Sequence, residues 1–186
     1  NLACSGRPSV GLVPSNYYLF VGDSASGKTW FCLTILAEAT LNDHYKDHRL
    51  IYDNAENGAL MDLCKFFGKR LAKRVEMLGH QPSTTLEEMY GRLFDALKAG
   101  PILAIIDSET SLPPASFLKR FKKNKRLAER GKDTEGSYGT EKAKLHSENL
   151  RWIVGELERS GSILVMINQT RDRIGFAAKF NPKTRA

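Results

Sequence analysis

The chain has 186 residues, 41% hydrophobic and 26% charged, with a formal net charge of +7. That length allows one domain with a substantial core. No apolar run approaches the ~20 residues needed to cross a bilayer. No secretory leader pattern opens the chain. Cys4, Cys32 and Cys64 show neither a disulfide framework nor zinc-ligand spacing. These features argue against membrane-spanning, disulfide-stapled and zinc-ligating classes, and predict reduced thiols in a cytoplasmic protein.

The first predicted element is a buried strand at Tyr17–Val21, followed by Gly22-Asp23-Ser24-Ala25-Ser26-Gly27-Lys28-Thr29. These eight residues satisfy G-x-x-x-x-G-K-[ST] in full, and the apolar run from Trp30 continues as a helix over 28–41. Strand, glycine loop and helix are the context in which this motif cradles phosphate. Gly22 and Gly27 let the backbone wrap an anion. Loop and helix N–H groups then face the phosphate oxygens. Lys28 bridges the β- and γ-phosphates, and the Thr29 hydroxyl ligates Mg²⁺. The implied cofactors are ATP and Mg²⁺.

A second strand is predicted at Leu50–Tyr52, ending in Asp53-Asn54-Ala55-Glu56, and a helix at 59–71. A third strand spans Val75–Leu78. Thr84-Thr85 then precede Glu87 and Glu88 at the start of a helix over 86–98. Hydrolysis needs a group that orients and deprotonates water, and Glu56, Glu87 and Glu88 are the candidates. Acids in a first helical turn also favour the dipole and close a capping box, so the Glu87–Glu88 pair has a purely structural alternative.

The fourth strand, Ile102–Ile106, is apolar throughout and ends in Asp107-Ser108. An apolar strand ending in Asp downstream of a phosphate loop supplies the second Mg²⁺-holding group, Asp107. A helix is predicted at 117–130 with a thin apolar stripe. Residues 115–132 hold eight basic residues against one acid, and 169–186 hold five against one. The remainder carries 15 basic and 19 acidic residues. Two short segments therefore hold all the positive surplus, which fits either a polyanion-binding surface or solvated faces. Residues 131–139 carry three glycines and read as a mobile loop. A helix follows over 140–159, then a strand at Ile163–Ile167 whose tip continues Asn168-Gln169-Thr170-Arg171. An amide at that tip can hydrogen-bond a γ-phosphate and report its loss.

Strand–helix alternation predicts an α/β fold: a mostly parallel central sheet with helices on both faces and functional loops at the C-terminal strand ends. The chain resembles RecA-type recombinases. The match rests on the phosphate loop, Asp53-Asn54-Ala55-Glu56, Gln81-Pro82 with Asp95-Ala96-Leu97, Asp107-Ser108, and Ile167-Asn168-Gln169-Thr170-Arg171 with Asn181-Pro182-Lys183-Thr184. The resemblance implies a RecA-like P-loop NTPase core and a DNA-dependent ATPase. It also implies a helical filament on single-stranded DNA, with duplex DNA joining during strand exchange in recombination and repair.

Counting back from Asp95 places the family's catalytic glutamate on Glu88, with Glu87 left open by a longer loop. Gln169 takes the γ-phosphate sensor role. The first DNA-binding loop maps to 131–140, including Gly136, Ser137 and Tyr138. The second begins over 170–186, with Arg171, Arg173, Phe176 and Lys179. The basic segment is longer than in the usual bacterial form and suggests a divergent, phage-encoded member in a bacterial or infected host cell. The core reads as incomplete at both ends. Competing readings are a hexameric RecA-fold helicase motor, a DNA-independent regulatory ATPase and a small-molecule kinase.

Overall fold

The computed structural model describes residues 11–56, 61–131, 133, 140–172 and 183–185. The elements run β1 (Asn16–Gly22), α1 (Lys28–Ala39), β2 (Arg49–Asp53), α2 (Leu63–Arg74), β3 (Val75–Glu76), α3 (Leu86–Ala99), β4 (Ile102–Ile106), α4 (Ala115–Glu129), α5 (Thr140–Ser160), β5 (Ile163–Asp172) and β6 (Lys183–Arg185). Short 3₁₀ turns lie at Asp43–Tyr45 and Glu109–Ser111.

The sheet order is β1-β5-β4-β2-β3, parallel throughout, with β6 antiparallel on the far end of β5. Strand β4 shows why. All five of its residues are buried, as a strand covered on both faces requires. Ile102, Ala104 and Ile106 join one core with Leu86, Met89 and Leu93 of α3 and Ile153 and Leu157 of α5. Leu103 and Ile105 point the other way, to Cys32, Leu33 and Leu36 of α1 and Leu71 of α2. The period of two assigns alternate side chains to opposite faces. Each fully buried Leu or Ile contributes about 1.5–3 kcal/mol. This two-sided core brings the tips of β1, β5, β4 and β2 together along one sheet edge.

The elements predicted from the pattern form, with three differences in extent. Helix α2 starts at Leu63, because the Asp62 carboxylate accepts from the Lys65 N–H at 3.0 Å and caps it there. Residues 57–60 lie outside the described set. Strand β3 keeps only Val75–Glu76. Strand β5 runs five residues past Ile167 to Asp172, because Thr170–Asp172 pair with β6. That polar extension carries no hydrophobic signal.

Candidate nucleotide site

The phosphate loop lies between the tip of β1 and the first turn of α1. Ala25 (φ 58°) and Gly27 (φ 84°) take left-handed conformations, which turn successive N–H groups inward. A Cβ at Gly22 would meet Ser26 Oγ at 3.1 Å, so a larger residue there would have to displace the Ser26 hydroxyl. Helix α1 has no side-chain cap and no acid in its first turn. Its orphan N–H groups and positive dipole end therefore face the loop. Lys28 Nζ donates to the carbonyls of Gly22 at 3.0 Å and Asp23 at 2.6 Å. The ammonium thus folds back onto the loop backbone.

Behind the loop, Thr29 Oγ1 donates to Asp107 Oδ2 at 2.6 Å. Tyr52 OH donates to the same oxygen at 2.9 Å. Asp107 is 4% exposed. Burial pushes its carboxyl above the ordinary aspartate value, although the Thr29 and Tyr52 hydrogen bonds pull it back. A buried carboxylate beside a threonine hydroxyl is a hard-oxygen pair that suits Mg²⁺ when phosphates and water supply the other ligands. Tyr52 escapes the sequence pattern. Its only signal is a polar tip in a strand that is otherwise apolar.

Glu56 stands where the tips of three strands meet. Its N–H donates to the Asp107 carbonyl at 3.0 Å, and the Asp107 N–H donates to the Asp53 carbonyl at 2.8 Å. Its carboxylate accepts from Ser108 Oγ and, at 2.8 Å, from Gln169 Nε2. The residue is exposed on the cleft side. Asp53, buried below it, accepts from the Ser83 N–H at 3.0 Å. From the other side, the Thr170 hydroxyl donates to Asp23 Oδ1, which ties β5 to the phosphate loop.

Glu88 and Glu87, the other two candidates for the base, make their hydrogen bonds outside this cluster. Glu88 accepts from the Thr84 N–H at 2.9 Å and the Thr84 hydroxyl at 2.7 Å, and pairs with Arg92. Its own N–H donates to Thr85 Oγ1 at 3.2 Å. It therefore closes the cap of α3, the structural alternative for these acids. The Thr84 hydrogen bonds also hold its carboxyl below the ordinary glutamate value, which makes it a weaker base. Glu87 accepts from the Ala115 N–H at 2.9 Å and anchors the start of α4.

Beneath the β5 tip lies a second polar cluster that the sequence does not reveal. Asn168 Nδ2 donates to Glu109 Oε2 at 2.7 Å, and the Gln169 N–H donates to Thr110 Oγ1 at 3.2 Å. Lys142 Nζ lies 3.3 Å and His146 Nε2 2.5 Å from Glu109 Oε1. His146 Nδ1 meets Tyr90 OH at 2.7 Å. Glu109 is 4% exposed. Burial alone would raise its carboxyl, but His146 and then Lys142 hold it below the ordinary value. Of the residues expected from sequence to meet nucleic acid, Gly136, Ser137, Tyr138, Arg173, Phe176 and Lys179 lie outside the described set. Arg171 is placed by its backbone, within β5.

Fold and loop together define an α/β P-loop nucleotide-binding core of RecA-like form. The RadB recombinase crystal structure shares this fold: TM-score 0.58 and 17% identity, over 97% of this chain and 70% of that one. Among curated proteins, RecA of Helicobacter pylori (strain P12) is 31% identical over 182 residues, covering 94% of this chain and 45% of that protein. RecA of Laribacter hongkongensis (strain HLHK9) is 30% identical over 165 residues, covering 88% and 40%. A plasmid RecA of Lactococcus lactis subsp. lactis is 27% identical over 151 residues, covering 81% and 38%. No family model matches the chain. The chain spans less than half the length of these relatives. In sequence it is thus similar to part of RecA, and in fold to the RadB recombinase.

Proposed function

We propose that this chain is the ATPase core of a DNA-dependent recombinase, which assembles as a filament on single-stranded DNA and promotes strand exchange with a duplex. The observation that carries the reading is the Glu56–Gln169 hydrogen bond of 2.8 Å, made at the same strand edge as the phosphate loop and Asp107. It joins a base to the strand tip that leads into the basic segment.

In this reading Lys28 and the N–H groups of the loop hold the β- and γ-phosphates of ATP. Thr29 and Asp107 are the protein's oxygens for Mg²⁺, which when bound neutralises charge developing on the phosphate oxygens. Tyr52 orients Asp107. Glu56 takes the proton of the attacking water, and Ser108 holds its carboxylate in place. Gln169 leaves Glu56 for the γ-phosphate and returns when that group is gone, moving the β5 tip with it. The segments 131–140 and 170–186 hold the DNA strand. Their affinity should come mainly from phosphate contacts and fall with salt. No helix among the described residues is long and apolar enough to cross a membrane.

The test is ATP hydrolysis by the full-length protein with and without single-stranded DNA, beside Lys28→Ala. Stimulation that disappears in the variant is expected. Electron microscopy should show helical filaments, and rings would favour a helicase motor. Hydrolysis indifferent to DNA would favour a regulatory ATPase.

A further inference from the structure

Helix α4 (Ala115–Glu129) is docked on the body by a mostly polar face, and none of its side chains is buried. At 100° per residue, Ser116, Arg120, Asn124 and Leu127 share one arc. These four are half-buried, and Arg120 meets Glu141 of α5 at 3.7 Å. Leu127 is the large apolar residue of this arc; Phe117, Leu118 and Phe121 lie off it and are exposed. Phe117 is 42% and Phe121 61% exposed, side by side one turn apart. An amphipathic helix ordinarily turns its apolar stripe inward. Lys125, one turn beyond Phe121, and Lys122 continue the outward surface, and both are exposed.

The partner that fits exposed rings bordered by ammonium groups is one with free aromatic faces and regularly spaced anions. Single-stranded nucleic acid has both, whereas a duplex hides its base faces inside the stack. A membrane surface needs a broader apolar face than Phe117, Leu118 and Phe121, which Asn124 and Lys125 bound. Charge points the same way. The helix carries six cations against one acid, whereas the chain outside its two basic segments is only weakly acidic. A second copy would therefore offer poor complementarity. Glu87 holds the Ala115 N–H at 2.9 Å, so the helix starts from a fixed point that follows Ser108 in the chain by one short turn.

We propose that α4 is a third strand-holding surface, on which unstacked bases lie against Phe117 and Phe121 while Lys122 and Lys125 meet the flanking phosphates. The proposal rests on the reading of this chain as a nucleic-acid-binding protein. It adds to that reading an element separate from the 131–140 and 170–186 segments.

The experiment is fluorescence anisotropy of a labelled oligothymidylate with the full-length protein over a salt series. Phe117→Ala/Phe121→Ala is expected to weaken binding about ten-fold or more with the salt slope kept. Lys122→Gln/Lys125→Gln is expected to reduce the slope of log affinity against log salt by about 1.4, two phosphates at ~0.7 each. Both variants should melt with the parent, since neither removes a buried side chain, and a melting shift in step with the affinity loss would overturn the assignment. Binding equal to the parent in both variants would overturn the role of α4 and leave the broader reading standing. Absence of oligothymidylate binding in the parent would overturn both. Unchanged oligothymidylate binding with lost binding to phosphatidylserine vesicles, or with lost self-association in sedimentation, would replace the proposal by a membrane or a copy-to-copy surface.

Discussion

Gln169 and Glu56 stand 113 residues apart in the chain and touch, Nε2 donating to Oε1 at 2.8 Å. The contact spans three neighbouring strands. Gln169 lies in the polar extension of β5, Glu56 lies just beyond β2, and Ser108, just beyond β4, donates to the same carboxylate oxygen. Such a contact depends on the sheet order, because only β4 separates β5 from β2. Both donors meet Oε1, which fixes the orientation of the carboxylate.

Glu56→Gln should lower the rate of ATP hydrolysis by about 10²–10⁴-fold, the usual worth of a positioned general base. Nucleotide affinity should change only a few-fold, because the phosphate loop is untouched. Steady-state kinetics beside equilibrium binding of a fluorescent ATP analogue separates the two effects. Binding lost in step with hydrolysis would make Glu56 a structural residue.

Glu88→Ala should behave in the opposite way. Hydrolysis should stay within a few-fold of the parent, while loss of the α3 cap costs about 1 kcal/mol. For a domain of this size that lowers the melting temperature by about 2–4 °C. A hydrolysis loss as large as that of Glu56→Gln would return the base role to α3.

Much of this site is legible in the amino-acid sequence. The phosphate loop, the Asp107 strand tip and the strand–helix order are local patterns, set by glycine chemistry and hydrophobic period. The choice among Glu56, Glu87 and Glu88 is not local. Thr84-Thr85 with two following acids fits a cap as well as a site, and only the spatial partners of each carboxylate separate these uses. The extension of β5 is illegible because polar residues paired in a hairpin lack an apolar signature. Glu109 is illegible because burial of a charge depends on Lys142 and His146, which arrive from a helix far along the chain.

Gln169→Asn keeps the amide and shortens its reach by one methylene. Loss of the 2.8 Å contact to Glu56 should leave DNA-independent hydrolysis near the parent level and remove most of the stimulation by single-stranded DNA. Hydrolysis measured with and without DNA tests this. Full stimulation in the variant would remove Gln169 from the coupling.

Cys32 and Cys64 should differ in reactivity. Burial, reinforced by the charge of Asp107 and opposed by Lys28, pushes the Cys32 thiol up to about 12. Its thiolate is therefore scarce at neutral pH and remains so at pH 9, and Cys32 is fully buried. Cys64 is exposed. Iodoacetamide on the native protein, followed by peptide mass mapping, should label Cys64 and spare Cys32 across that range. Denaturant should then expose Cys32. Prompt native labelling of Cys32 would mean that α1 opens readily from the sheet.

Glu109→Ala should be among the most destabilising single changes in the chain. The carboxylate is nearly inaccessible and engages Asn168, Lys142 and His146 together. Removing it takes one acceptor from all three, and breaking a buried pair from one side costs about 3–5 kcal/mol. Lys142 keeps the carbonyls of Glu109 and Thr110 at 3.1 Å, which places the loss at the lower end of that range. Glu109→Gln retains an acceptor for Asn168 and should lose less. Urea unfolding of the two variants, together with Lys142→Met and the Glu109→Gln/Lys142→Met double variant, would isolate the pair. The double variant should be less destabilised than the sum of its singles, because removing the charge from both partners leaves neither buried alone. Strict additivity would show that Glu109 acts through Asn168 and the β5 tip rather than through its ion pairs.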